Sequence, residues 1–213
     1  CSSDLGFART EGAQSDLLPS VSGEGRQGAI AKASAYLQDY ATAFGARPGE
    51  LKQSEVYAGK NGYSITFAQS YKGVPIFAGE IKAHVDQDGD LTSVNGFAAP
   101  DLSLDVTPGL SREQASAKAL QIVSAKPAGY EDGGPRNFRA GLAVRDAKLV
   151  VYRTGSPRGI TGESKLAWAV EVWNKKTIRE SLILDAATGK ALNRWSMMAD
   201  ALDRERSEEH TSE

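Results

Sequence analysis

The chain has one cysteine, Cys1, and two histidines, His84 and His210, among 213 residues. A single cysteine excludes any disulfide framework within the chain. Two histidines so placed exclude the HExxH helix, in which imidazoles at i and i+4 bind zinc while the glutamate acts as base. Ser-His-Asp chemistry would have to pass through His84, and Cys1 is a terminal thiol with no positioned base. No apolar run approaches the ~20 residues needed to cross a bilayer. No block of like charge is present either. With 25 Lys and Arg against 27 Asp and Glu, the net charge is -2, and no polybasic face points to nucleic acid or a membrane surface.

Weaker signals resolve into turns and packing. Gly23-Glu24-Gly25 and Gly133-Gly134 are not followed by a strand-to-helix phosphate cradle, and GxxxxGK[ST] is absent. Asp86, Asp88 and Asp90 around Gly89 superficially suggest an EF-hand loop, but the twelfth position, which needs a bidentate glutamate, is Phe97. A hairpin turn is the better reading. Trp168, Trp173 and Trp195 fall in strand-like alternation, which points to packing before any ligand stack. No catalytic, cofactor-binding or metal-binding residue is assigned in the chain.

What is present is 22 glycines and 40% hydrophobic residues in a clear order. Ala29 to Phe44 carries Ile30, Ala33, Leu37, Tyr40, Ala41 and Phe44 at helical spacing, with Gly45 where a left-handed cap is wanted. Leu51 to Tyr57 reads as a strand. Asn61-Gly62 is a strong two-residue hairpin signal, and Tyr63, Ile65, Phe67, Gln69 and Tyr71 then alternate with smaller or polar residues. Ile81, Ala83 and Val85 alternate in the same way, and Asp86 to Asp90 turns the chain into Leu91 to Ala98.

After a connector at 100–110, Ser111 and Gln114 form a capping box ahead of Ala115, Ala119, Ile122 and Val123. Ala128 to Gly141 reads as a loop or insertion. Strands follow at Lys148 to Arg153, Lys165 to Trp173, Ile178 to Asp185 and Lys190 to Trp195. Helix then meander occurs twice, so the expectation is an α+β chain of two tandem units, each a helix packed on a curved antiparallel sheet.

The core QSYKGVPIF, with Tyr71, Gly73, Val74, Pro75, Ile76 and Phe77, and the ending DGDLTSVNG, with Gly89, Asn95 and Gly96, resemble the FTP module of thermolysin-like and fungalysin-like zinc metalloprotease propeptides. Pro75 denies one ladder donor, so a free strand edge is expected there. In the second half, LAWAVEV around Trp168 and LILDAATGKAL with Asp185 and Gly189 are similar to the PepSY module that follows FTP in those propeptides. The resemblance covers residues 30 to 196 and implies a cystatin-like fold for each module. It departs from the family at Ala128 to Gly141 and at Gly155 to Glu163.

Residues 1–27, rich in Ser, Gly, Asp and Glu, are expected to be a flexible leader, and the resemblance then gives an FTP-like module at 28–99, a linker at 100–110, a PepSY-like module at 111–196 and a junction at 197–205. It implies a non-catalytic propeptide of an exported metalloprotease precursor, with chaperone and inhibitor roles and the cognate protease domain as partner in cis. Zinc would belong to that missing domain. Cys1 followed by Ser-Ser-Asp reads equally as a lipidated lipoprotein N-terminus, placing the chain at the cell envelope, or as an arbitrary start. Residues 206–213, RSEEHTSE, match the translation of a common sequencing adapter residue for residue and are expected to be an artefact. The alternative reading is a stand-alone cell-surface binding or inhibitory module that captures an extended partner by strand addition.

Overall fold

Alternation and turn chemistry set most of the strands. The structure, a computed structural model, describes the backbone of residues 6–9 and all of residues 16–130, 134–155 and 162–198. Cys1, residues 199–205 of the expected junction and residues 206–213 lie outside the described residues. The chain is α+β and divides into two compact units, one of residues 1–106 with 150–165 and one of residues 107–149 with 166–213.

The first unit contains β1 (Gly6–Arg9), α1 (Gly25–Tyr40), β2 (Leu51–Gly59), β3 (Gly62–Tyr71), β4 (Val74–Val85) and β5 (Leu91–Phe97). These strands pair antiparallel in the order β2-β3-β4-β5-β1. Helix α1 closes the core formed by Ile65, Phe67, Ile81, Ala83, Val85, Leu91 and Val94. Its buried face is Ala29, Lys32, Ala33, Tyr36 and Leu37, rotated from the expected one, and Tyr40 is 48% exposed.

The rotation follows from a charge. Lys32 lies on the inner face because its ammonium donates to the Asp16 carboxylate and, at 2.7 Å, to the Gly89 carbonyl. A buried ammonium is tolerated only when paired and hydrogen-bonded. The same contacts tie down part of the leader expected to be flexible: Asp16 Oδ1 accepts from the N–H groups of Leu18 and Leu91. Residues 6–9 pair with β5.

Two turns differ from expectation in their detail. Gly59 pairs with Gly62, so the two-residue β2–β3 loop is Lys60-Asn61, and Asn61-Gly62 is not the central pair. Gly62 instead follows the loop with φ 117°. The turn with positive φ at both central positions is Lys72-Gly73, at 47° and 83°, closed by the Tyr71–Val74 pair. Asp86 to Asp90 is the expected turn, its Asp86 Oδ1 accepting from the N–H groups of Asp88 and Asp90.

The edge beside Pro75 is not free. β5 pairs with β4 only from Glu80 onward, which leaves the N-terminal part of β4 without an antiparallel neighbour on that side. The end of β6 (Ala143–Arg153) takes the place in parallel, with Ile76 opposite Val151. A parallel bridge centred on Ile76 asks Pro75 for no N–H, so the proline is accommodated. The sheet of this unit is therefore mixed, not purely antiparallel.

The second unit contains α2 (Arg112–Ala125), most of β6, β7 (Ser164–Trp173), β8 (Arg179–Asp185) and β9 (Ala191–Ser196), with strand order β6-β7-β8-β9. Helix α2 opens on the expected box: Ser111 Oγ accepts from the Gln114 N–H, and Gln114 Oε1 accepts from the Ser111 N–H. Ala115, Ala119 and Val123 face Trp168, Val170, Val172, Leu182 and Leu184. The glycine-rich stretch after α2 is more than a surface loop, because Phe138 joins this core and its carbonyl accepts from Asn174 Nδ2.

Candidate functional site

The motif residues of the first unit build a bulged hairpin. Ser70 pairs with Pro75, but the next pair is Ala68 with Glu80, so residues 76–79 of β4 oppose the single residue Gln69 of β3. Ala78 absorbs part of this excursion at φ 57°. The gap left in the ladder is filled by the fully buried Gln69 side chain. Its Nε2 donates to the Ala99 carbonyl at 3.0 Å, and its Oε1 accepts from the Ala99 N–H at 2.8 Å. The amide thus mimics a strand neighbour for the segment following β5, and Nε2 also reaches Glu50 Oε2.

Val74 and Ile76 are buried, Pro75 is exposed, and Phe77 meets Tyr152 edge-on with ring centroids 5.8 Å apart. Half-buried Tyr71 lies under the Lys72 ammonium, which also donates to the Leu104 carbonyl. Gly89 accepts from Lys32 at its carbonyl, and Asn95 lies opposite Lys82. Gly96 is sterically obligatory: its φ is 152°, and a Cβ would come 2.1 Å from the Glu80 carbonyl oxygen. Each of these contacts holds a strand or a turn in place.

In the second unit Trp168 is buried, and its Nε1 donates to the Leu110 carbonyl at 3.0 Å. Asp185 Oδ1 accepts from the N–H groups of Ala187 and Thr188 and from the Thr188 hydroxyl, forming the turn that Gly189 completes at φ 72°. Glu180, also buried, receives Arg194 Nε on one oxygen and the Ala128 N–H on the other. Arg194 further donates to the Lys126 carbonyl at the end of α2.

A groove of about 420 Å³ on the first unit is lined by Tyr57, Asn61, Ser64, His84 and Thr92. His84 points away from α1, as its alternation predicts, but is half-buried. Burial, and then the Lys82 ammonium, hold its pKa below that of a free imidazole. No group of three or more His, Cys, Asp or Glu able to hold a metal occurs among the described residues.

The hairpin, its bulge and the SVNG strand fall in the segment for which a known motif matches. Residues 49–97 match the Fungalysin/Thermolysin Propeptide Motif, FTP. The thermolysins of Alicyclobacillus acidocaldarius subsp. acidocaldarius and Bacillus caldolyticus are each 32% identical over 143 residues, covering 64% of this chain and 23% of the relative. Bacillolysin of Brevibacillus brevis is 30% identical over 134 residues, with 60% and 23% covered. The chain thus spans about a quarter of the length of the curated relatives it matches. Among solved structures, the Bacillus megaterium YpeB C-terminal domain aligns at a TM-score of 0.41 and 17% identity, over 84% of this chain and 69% of that one. FTP is by its description a propeptide motif.

The residues that sequence reading passed over are the buried polar ones. Gln69 occupies an inward position in the Tyr63, Ile65, Phe67 alternation, a signal that a buried amide needed partners. Lys32 lies three residues after Ala29 and four before Tyr36, the spacing of one helix face. Nothing in the sequence around Glu180 or Arg194 marks them as partners.

Proposed function

We propose that this chain is the propeptide region of a zinc metalloprotease precursor, acting in cis as a folding aid and inhibitor of the protease domain. The FTP motif at residues 49–97 carries this reading, and the identity to thermolysins supports it. A propeptide that binds the native-like protease more tightly than its unfolded chain stabilises it by linkage. Blocking of the substrate cleft falls to the segment after Trp195. On this reading residues 111–196 form a PepSY-like module, residues 100–110 link the modules, and the zinc and the HExxH helix belong to the protease domain. Export follows from the same reading, with a lipid on Cys1 as its variant for a surface-anchored precursor.

The test is refolding of the separately denatured protease domain of the same precursor with and without this chain. Recovered proteolytic activity after the propeptide is digested should rise at least ten-fold in its presence. Native protease should be inhibited in trans, and inhibition should be lost when residues 197–205 are removed. No rescue and no inhibition would refute the proposal.

A further inference from the structure

Cross-strand pairing places two tryptophans and two arginines of the second unit on one face of its sheet. Leu182 and Val172 face the core, so Glu171, Trp173, Arg179 and Ser181 face the other way. Glu171 lies opposite Ser181, Ser181 opposite Trp195, and Trp173 opposite Arg179. Directly opposed residues share a face, so Trp195 joins this row. Arg145 completes it, with its guanidinium 5.0 Å from the Trp173 ring centroid and the Lys175 ammonium 5.7 Å from the same ring.

Around Trp173 the charges of the described residues do not balance. One carboxylate, Glu171, takes Arg145 Nη1 at 2.8 Å and Arg179 Nε at 2.7 Å. Each guanidinium carries five N–H donors in a planar fork, so most of the donors remain to meet carboxylates on another surface. The Arg145 and Arg179 side chains are 43% and 39% exposed. With Lys175 they outnumber Glu171 by two charges on a chain whose net charge is -2. Tryptophan and arginine are the residues that dominate binding energy at the centres of protein interfaces.

The position of the face supplies the second argument. Met197 donates its N–H to the Arg179 carbonyl, so the last described residues lie beside this face. A domain joined downstream would meet it at the high effective concentration of an intramolecular partner.

We propose that the Trp173, Trp195, Arg145 and Arg179 face of the second unit is the surface that grips the protease domain of the same precursor, against a carboxylate-bearing patch of that domain. This rests on the propeptide reading above. It is tested by titrating the separately purified protease domain with the full chain, using calorimetry at two salt concentrations, for wild type, Arg145→Gln/Arg179→Gln and Lys175→Glu. Each variant is first checked for native circular dichroism, and Lys175→Glu leaves the Glu171 network intact should the double variant fail to fold.

The expected result is at least ten-fold weaker binding for the arginine pair, about three-fold for Lys175→Glu, and a shallower salt dependence for both. Wild-type binding unchanged in both folded variants overturns the face while leaving the propeptide reading in place. A wild-type chain that binds no protease domain overturns both. Retention of the wild-type chain by an acidic polymer such as heparin, with no competition from the protease domain, also overturns the face as a protease site.

Discussion

Both units lay one helix on antiparallel strands, yet they seat the helix by opposite means. In the first, α1 has no side-chain cap and is fixed in the middle of its buried face by Lys32, which reaches Asp16 and the Gly89 carbonyl. In the second, α2 is fixed at its ends, by the Ser111–Gln114 box and by Arg194 on the Lys126 carbonyl. The cause is common to both. Ala29 and Ala33 in α1, and Ala115 and Ala119 in α2, bring backbone close to sheet but bury little apolar side chain. Polar contacts then set where each helix sits.

The largest effect expected from testing this contrast is at the motif glycines. Gly96→Ala would drive a Cβ to 2.1 Å from the Glu80 carbonyl oxygen, a rigid backbone atom, and should cost ~3–5 kcal/mol through strain and lost pairing. Gly189→Ala in the second unit meets instead the flexible Lys118 Cδ at 2.2 Å. It should cost ~1–2 kcal/mol, chiefly for its positive φ. Urea midpoints of the two variants measure the difference, and equal losses would show that the lysine cannot move aside.

Next come the buried charges. Lys32→Met leaves Asp16 and the Gly89 carbonyl without their cation, and Arg194→Met does the same to Glu180; each should destabilise by ~3 kcal/mol. Hydrogen exchange separates them. The first should loosen α1 and the Asp86–Asp90 turn, the second the C-terminal turn of α2 and β9. Loosening of both helices by either variant would break the contrast.

A pH profile sharpens it further. Burial raises the pKa of Asp16, but hydrogen bonds from Lys32, Leu18 and Leu91 outweigh it, and the net shift is downward. A carboxylate with a lowered folded pKa contributes stability that is present above its unfolded value and lost as pH falls through the folded one. His84, also lowered, works in the same direction at higher pH: protonation below its free value disfavours the fold. The loss of urea midpoint between pH 5 and pH 3 should therefore be smaller in Asp16→Asn than in wild type, and an identical slope would remove Asp16 from the account. The smallest effect is at the cap, where Ser111→Ala should lower stability by ~1 kcal/mol, visible as a fall of a few degrees in Tm.

The legible parts of this fold were those governed by local rules. The alternation of Tyr63 to Tyr71, the Asp86 turn, the box at Ser111 and the Gly45 cap are all where their residues require them, because each depends on neighbours within a few positions. The buried face of α1 differs from the expected one because hydrophobicity alone favours Ile30 and Tyr40 over Lys32. Partners distant in sequence, the Asp16 carboxylate and the Gly89 carbonyl, make that lysine an inward residue. The hairpin at Asn61-Gly62 was placed one residue late for a smaller reason: Gly62 relieves a close approach to Val85 and does not form the turn itself.

The helix–meander order, the propeptide motif and the lack of an HExxH zinc site can all be read from the chain alone, since they reside in composition and short spacing. Folding adds that Gln69 substitutes for a strand, that β6 runs parallel beside Pro75, that Phe138 belongs to a core and that Trp173, Trp195, Arg145 and Arg179 share one face. Each of these joins residues far apart in the chain. Whether such a contact forms depends on the closure of the whole sheet, which no local pattern encodes.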